Sequence, residues 1–296
     1  MLKFRPIELA DREMVTRYLR EKNYPGDQYS FGNLFIWRKT YHAEICEEQG
    51  FLYIKSGDQG NWMFMCPIGQ GDLKAAVEKL RAWCKEAGCP LKMYWVPAED
   101  KAKLEVLYPG ELTIHSDRNM FDYIYERERL RTLAGRKLQP KRNYVNRIKK
   151  KNWSYEPISQ ENLKECMELQ RLWCQEHNRC SEGSAKAESC AVRQAFQHFW
   201  DLDFRGGCIR LDGRLVAYTI GEPLNSDTFI VHIEKAFSDV EGAYPLMNQQ
   251  FVEHAMEGFA YVNREDDTGS EGLRKAKLSY DPYQILEDYI VEFTQV

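Results

Sequence analysis

Apolar positions along this chain switch between a period of two and a period near 3.6, and they do so twice in the same order. Leu2 to Leu9 reads as a strand, and Asp11 to Lys22 as an amphipathic helix with Met14, Tyr18 and Leu19 at helical spacing. The same pattern returns 151 residues later. Phe4, Pro6 and Ile7 are matched by Tyr155, Pro157 and Ile158, and a polar step then leads into a helix pattern of Leu163, Met167, Leu169 and Leu172. Gly71 to Gly88 predicts a helix followed by the strand Leu91 to Val96; Gly242 to Gly258 predicts a helix followed by the strand Phe259 to Val262. Further strands are predicted at His42 to Lys55, Trp62 to Cys66, Gly207 to Ile220 (interrupted by the hairpin signal Asp212-Gly213) and Thr228 to Ala236, with Ile285 to Phe293 closing the chain. Mixed elements in two similar halves predict an α/β (α+β) tandem: a domain over 1–130, a basic linker helix over 131–151 and a second domain over 152–296.

Composition changes this picture little. Of 296 residues, 43% are hydrophobic and 29% charged, ample for buried cores, and no apolar run is long enough to cross a bilayer. Met1 to Arg12 lacks the apolar stretch and cleavage site of a secretory signal, so a cytoplasmic location is expected. The nine cysteines include no Cys-x-x-Cys knuckle; Cys174, His177, Cys180 and Cys190 form a local group, read as core thiols beside a histidine rather than a metal site. Phe31, Phe35, Trp37, Tyr41, Trp173, Phe196, Phe199, Trp200 and His232 are likewise read as core.

Charge changes it more. Arg127 to Lys151 holds eleven Lys or Arg against one acid, a local balance of +10 in a chain whose net charge is −4. Such a segment points to RNA, a phosphorylated cofactor or an anionic lipid surface. Pro140 is placed to open a helix through Lys150, carrying Lys141, Arg142, Arg147, Lys149 and Lys150, with Val145 and Ile148 as an apolar anchor. A solvated linker helix is the plain alternative; Asn143, Tyr144, Asn146 and Trp153, interleaved with the cations, favour phosphate or nucleic-acid contact.

The densest chemistry follows the strand at Phe259 to Val262, which runs into Asn263, Arg264, Glu265, Asp266 and Asp267. Thr268, Gly269 and Ser270 are turn and capping residues, and the helix after them carries Leu273, Ala276 and Tyr280 with Arg274 and Lys277. Strand, acidic cluster and basic helix read as a binding or catalytic edge, against the alternative of a solvated turn with salt bridges.

The stretches Phe31 to Arg38, Lys137 to Asn143, Asn263 to Asp267 and Gly272 to Tyr280 resemble uncharacterised bacterial proteins similar to the C-terminal domain of phosphatidylglycerol lysyltransferases. The resemblance runs the length of the chain. It implies two GNAT-like acyltransferase domains in tandem, each a mixed, mostly antiparallel sheet flanked by helices, as in the Fem aminoacyltransferases, which draw an amino acid from aminoacyl-tRNA. GNAT enzymes hold the pyrophosphate of acetyl-CoA on a Gly-rich helix N-terminus. Here that stretch is Asp239-Val240-Glu241-Gly242-Ala243-Tyr244, where two acids stand in place of cations and Gly242 alone keeps the pattern. No cofactor is fixed by this. Aminoacyl-tRNA is the favoured donor, acyl-CoA the alternative, and a non-catalytic amino-acid or nucleotide binding module the third reading.

For acyl transfer the candidate catalytic groups are Glu265, Asp266, Asp267, Glu234 and, for the leaving group, Tyr280. Asn263, Arg264, Arg274 and Lys277 are candidate substrate binders. Arg136, Lys137, Lys141, Arg142, Arg147 and Gly242 are candidate phosphate or tRNA contacts, so segment 136–151 is the expected tRNA partner surface, with peripheral membrane contact as its second use. The first half has no matching cluster, since its strand continues into Pro97, Ala98, Glu99 and Asp100; a structural or substrate-covering role is expected there.

Overall fold

The strand and helix signals resolve in chain order as β1 (Arg5–Pro6), α1 (Arg12–Lys22), α2 (Phe31–Tyr41), β2 (Glu44–Glu48), β3 (Phe51–Ser56), β4 (Met63–Phe64), β5 (Ile68–Gly69), α3 (Leu73–Ala87), β6 (Lys92–Val96), α4 (Ala98–Leu107) and β7 (Leu112–His115). They continue as β8 (Asp122–Glu126), α5 (Arg127–Thr132), α6 (Gln139–Ile148), β9 (Trp153–Pro157), α7 (Leu163–Glu176), α8 (Gly183–Gln197), β10 (Arg205–Leu211), β11 (Arg214–Pro223), β12 (Thr228–Ala236), α9 (Ala243–Ala255), β13 (Tyr261–Asn263), α10 (Glu271–Leu278), β14 (Gln284–Leu286) and β15 (Tyr289–Phe293). The structure is a computed structural model describing residues 1–177 and 183–294. Cys180, in the cysteine group singled out above, lies outside the described residues.

Local chemistry explains the boundaries. Asp72 caps α3 by accepting from the Ala75 N–H, and Gly88 ends it in the left-handed region at φ 69°. The predicted strand His42 to Lys55 is two strands, because Gln49 and Gly50, at φ 51° and 77°, turn the chain into a hairpin. Asp212 and Gly213, at φ 52° and 83°, do the same between β10 and β11.

The chain forms two units, residues 1–122 with the chain from Leu286 onward, and residues 123–285. Among the described residues, the sheet of the first runs β1-β2-β3-β4-β6-β15-β7, with β5 paired to β3; that of the second runs β9-β10-β11-β12-β13-β8-β14. The two orders correspond strand for strand along the main path, and each contains one parallel pair, β4 with β6 and β12 with β13. The repeat seen in the sequence is therefore a repeat of topology.

The division expected at residues 130 and 152 differs from these units. The sixth strand of each sheet comes from a distant segment: β15, from the chain's end, pairs with β6 and β7, while β8 pairs with β13. Val291 and Phe293 of β15 are buried in one cluster with Val77, Leu80, Met93 and Val96. Backbone hydrogen bonds and that shared core, not proximity in sequence, set the membership. Helix α6 packs on α9 through buried Val145 and Ile148, so the basic segment belongs to the second unit rather than forming a linker of its own.

Phe31, Phe35, Trp173, Phe196 and Phe199 are core as expected, but Tyr41 and Trp200 are about half exposed, Tyr41 stacking on Trp37 and Trp200 meeting Phe199 edge to face. No helix among the described residues is long and apolar enough to cross a membrane.

Candidate active site

In the second unit, β12 and β13 run parallel and pair only over Thr228–Ile230 and Tyr261–Asn263. Strand β12 then continues to Ala236, while β13 ends at Asn263, so their carboxyl ends part. A bulge assists the parting. Ile220 pairs with Ile233 and Gly221 with Val231, which leaves His232 as the extra residue of β12. Only glycine fits opposite it: a Cβ on Gly221 would lie 2.1 Å from the Ile230 carbonyl oxygen.

The gap is filled by charge. Arg264, the first residue beyond β13, has 12% of its side chain exposed and donates to the Glu234 carboxylate at 3.0 Å; Asn248 of α9 donates to the other Glu234 oxygen at 3.3 Å. His232, with 1% of its side chain exposed, sits between Glu265 at 2.8 Å (Nδ1) and Glu222 at 3.0 Å (Nε2). Both carboxylates accept, so both ring nitrogens donate and the ring is an imidazolium. Burial alone would lower its pKa, but the paired carboxylates outweigh this and raise it to about 9.

The acidic loop is pinned from below. Lys277 donates to the carbonyls of Arg264 at 2.6 Å, Glu265 at 3.0 Å and Asp266. Glu265 is held at φ 57°, unusual for a side chain with a Cβ, by its N–H donating to the Asn263 side chain at 2.6 Å. Asp267 is fully buried and accepts from Arg274 through two donors at 2.8 Å each and from the Tyr123 hydroxyl at 2.6 Å. Burial would raise its pKa; these donors and the Gly269 N–H hold it down at about 2. Asp266 differs. Burial pushes its carboxyl up to about 6 against the pull of the Lys277 ammonium, and the Thr268 N–H donates to it at 3.0 Å.

The Asp267 contacts predict a stability effect. Asp267→Asn is expected to destabilise the protein by about 2 kcal/mol in urea unfolding, because the amide offers Arg274 and Tyr123 one acceptor in place of a carboxylate, while Arg274, 32% exposed, regains water. A loss below about 0.5 kcal/mol would mean that Asp267 does not anchor the loop.

Beyond α10, Tyr280 is buried with two cations over its ring. The Lys141 Nζ lies 3.7 Å from the ring centroid and the Arg264 guanidinium carbon 4.6 Å from it. Burial keeps the phenol protonated well above its ordinary range, and burial together with the Arg264 charge lowers Lys141 to about 8.

The other cations of the basic segment are largely engaged. Lys137 pairs with Asp281 at 2.8 Å, Arg142 donates to the carbonyls of Leu133 and Gly135, Arg147 pairs with Glu241, and Lys149 donates to Gln249 at 2.9 Å. Arg136, Lys150 and Lys151 are exposed. Gly242, at φ 91°, lies against α6, since a Cβ there would stand 3.1 Å from the Tyr144 carbonyl oxygen. The two acids of this loop are paired, Asp239 with Arg214 at 3.5 Å and Glu241 with Arg147.

Of the residues expected at the site, the structure thus brings together Glu234, Arg264, Tyr280 and Lys141. It turns Glu265 to His232 and Asp267 to Arg274, and it uses Lys277 and Asn263 to shape the loop. Asn248, Glu222 and Tyr123 were not legible as participants, although an asparagine among the apolar positions Leu246, Met247, Phe251 and Val252 of α9 is the kind of signal that could have found Asn248. At the matching place in the first unit, β6 runs into α4, where Glu99 pairs with Lys103 at 2.5 Å and Asp100 with Lys22 at 2.6 Å. Among the described residues no group of three His, Cys, Asp or Glu could hold a metal.

Comparison with known proteins places this geometry in context. The family model described as phosphatidylglycerol lysyltransferase, C-terminal, matches residues 20–292. An uncharacterized protein of Mycoplasmoides gallisepticum is 26% identical over 211 residues, 68% of this chain and 62% of the relative, so the chain spans less than two thirds of that protein. A crystal structure of a conserved protein of unknown function from Bacteroides thetaiotaomicron is 37% identical and superposes with a TM-score of 0.95, covering 99% of this chain and 100% of the other. L-PGS from Bacillus licheniformis gives a TM-score of 0.66 at 13% identity, covering 96% and 92%. A tandem GNAT protein from the clavulanic acid biosynthesis pathway gives 0.51 at 10% identity over the whole of both chains. The architecture is that of a GNAT-like tandem, two mixed sheets flanked by helices.

Proposed function

The chain belongs to the phosphatidylglycerol lysyltransferase C-terminal family, and on that premise we propose that it is a tandem GNAT-type acyltransferase that moves an aminoacyl group from aminoacyl-tRNA to an amine or hydroxyl of a lipid, peptide or small molecule. The observation that carries the choice of donor is the covering of the α9 N-terminus. A Cβ on Gly242 would stand 3.1 Å from the Tyr144 carbonyl oxygen, so the start of α9 lies against α6, and the loop before it carries Glu241, paired with Arg147, where a CoA pyrophosphate would want open space and a cation. A polyanionic donor fits the exposed cations Arg136, Lys150 and Lys151 better.

In this reading the acceptor N–H or O–H attacks the aminoacyl ester carbonyl, and Asp266, still ionised at neutral pH with its pKa near 6, takes the acceptor's proton. The ester C–O bond breaks and the departing ribose oxygen takes a proton from Tyr280, whose burial keeps that proton in place beforehand. Glu234 and Arg264 hold the gap open between the parted strands. Phosphatidylglycerol is the acceptor that the family's name suggests.

The test is binding of aminoacylated tRNA, deacylated tRNA and acetyl-CoA at two salt concentrations, followed by transfer of labelled amino acid to phosphatidylglycerol vesicles and to peptide acceptors. The wild type is expected to bind tRNA with strong salt dependence, and the Arg136→Ala, Lys150→Ala, Lys151→Ala triple variant to lose roughly two to three units of the log–log salt slope. Tight acetyl-CoA binding without tRNA binding returns the protein to acyl-CoA donors and removes the argument from Gly242.

A further inference from the structure

Three polar atoms at the parted strands lack a partner among the described residues. The Arg264 Nη1 and the Asn248 Oδ1 are buried without a hydrogen-bond partner, and the Lys141 side chain, half-buried, makes no hydrogen bond or ion pair among the described residues. Buried polar atoms left without a partner are rare, because each leaves the desolvation of its group uncompensated. Charge points the same way. Arg264 and Lys141 both lie over the Tyr280 ring, and Glu234 is the carboxylate that Arg264 contacts. Lys141 reaches the cluster from α6, Arg264 from the end of β13 and Asn248 from α9, so three elements converge on the gap.

We propose that Lys141 and Arg264 form an oxyanion subsite that takes a phosphate group of the substrate, with the Tyr280 ring as its apolar wall. This rests on the transferase reading above and makes Lys141 a substrate-binding residue of the active site rather than part of an exposed tRNA-binding face. A phosphate oxygen would accept from the free Arg264 Nη1 and from the Lys141 ammonium, supplying the acceptors the chain withholds. The cost of burying Lys141 beside Arg264, visible in its lowered pKa, would be relieved by the bound anion. The phosphate has two sources in this chemistry, a nucleotide linkage near the 3′ end of the donor or the phosphodiester of a lipid acceptor.

The probe is inorganic phosphate, titrated into the full chain by calorimetry with thermal unfolding alongside. Wild type is expected to bind it saturably, Lys141→Met to bind about tenfold or more weakly, and Lys141→Arg to stay within about threefold of wild type. Lys141→Met keeps the apolar stem against Tyr280, and an unchanged near-ultraviolet dichroism establishes that it is folded. Failure of wild type to bind phosphate, or equal binding by Lys141→Met, overturns the subsite. Competition then identifies the source. Displacement of phosphate by the trinucleotide CpCpA supports a donor phosphate, displacement by phosphatidylglycerol in detergent supports an acceptor phosphate, and displacement by neither overturns the assignment to a substrate. The two readings fail separately: phosphate binding that depends on Lys141 without aminoacyl transfer removes the tRNA donor, whereas transfer unchanged in Lys141→Met removes the subsite.

Discussion

Glu234→Ala is expected to cost roughly 3–5 kcal/mol in urea unfolding and to abolish transfer, because it leaves the Arg264 guanidinium buried with its carboxylate partner gone. With only about a tenth of each side chain exposed, water cannot replace the lost charge. The same removal leaves the Asn248 amide, itself buried, with one donor fewer engaged. The companion double variant, Arg264→Met with Glu234→Leu, is expected to recover most of that stability, since two apolar side chains of similar length remove the buried charges together. It should nevertheless remain inactive. Stability and chemistry are thereby separated: a folded protein without transfer assigns the ion pair to the site, and single variants that each cost under about 1 kcal/mol and add independently would show that the pair is not buried and coupled as described.

This pair also marks what the sequence could and could not convey. The run from Asn263 to Asp267 announced itself, because a strand that ends in five polar residues has few purely structural uses, and Ser270 does cap α10 by accepting from the Leu273 N–H as its residue type suggests. The halves were legible from the offset of 151 residues, since β1 with α1 and β9 with α7 repeat one local pattern. The exchange of sixth strands was not. Strand pairing is decided by backbone hydrogen bonds between segments far apart in the chain, and nothing in the alternation of Tyr289 to Phe293 says which sheet it completes. The roles within the acidic cluster were hidden for a related reason. Glu265, Asp266 and Asp267 are adjacent and chemically alike, yet one faces His232, one stands at a raised pKa and one is clamped by Arg274, because the left-handed turn at Glu265 sends their side chains in different directions. The basic segment gave a true apolar anchor in Val145 and Ile148 but overstated its free charge, since Lys137, Arg147 and Asp281 with Glu241 neutralise one another only once the chain is folded.

His232 supplies the second large effect, and it is read from pH. Its pKa rises from an ordinary 6.5 to about 9 on folding, so the folded state holds the ring proton where the unfolded state has released it. The stabilisation is fully present below about pH 6.5 and declines as pH rises toward 9. At 1.36 kcal/mol per pKa unit the whole shift corresponds to about 3 kcal/mol, of which about 2 kcal/mol falls between pH 6.5 and 8. That interval is the informative one. Asp266 and Asp288, with carboxyls raised to about 6, release their protons mostly below it, and Lys141, lowered to about 8, adds stability with rising pH mainly above it, offsetting only about 0.4 kcal/mol of the fall by pH 8. Wild-type stability from chemical denaturation is therefore expected to fall by about 2 kcal/mol between pH 6.5 and 8, and His232→Gln, which can still donate to one carboxylate but carries no proton to lose, to show a flat profile there and to be the less stable protein at pH 6.5. The expected difference arises because Glu222 and Glu265 then face each other across a neutral side chain, and with Glu265 released the loop that carries Arg264 and Asp266 loses its tether to β12. A slope in His232→Gln equal to that of the wild type would show that the imidazolium is not the group titrating, and stability rising with pH in the wild type would reverse the sign of the linkage and with it the charged state assigned to His232.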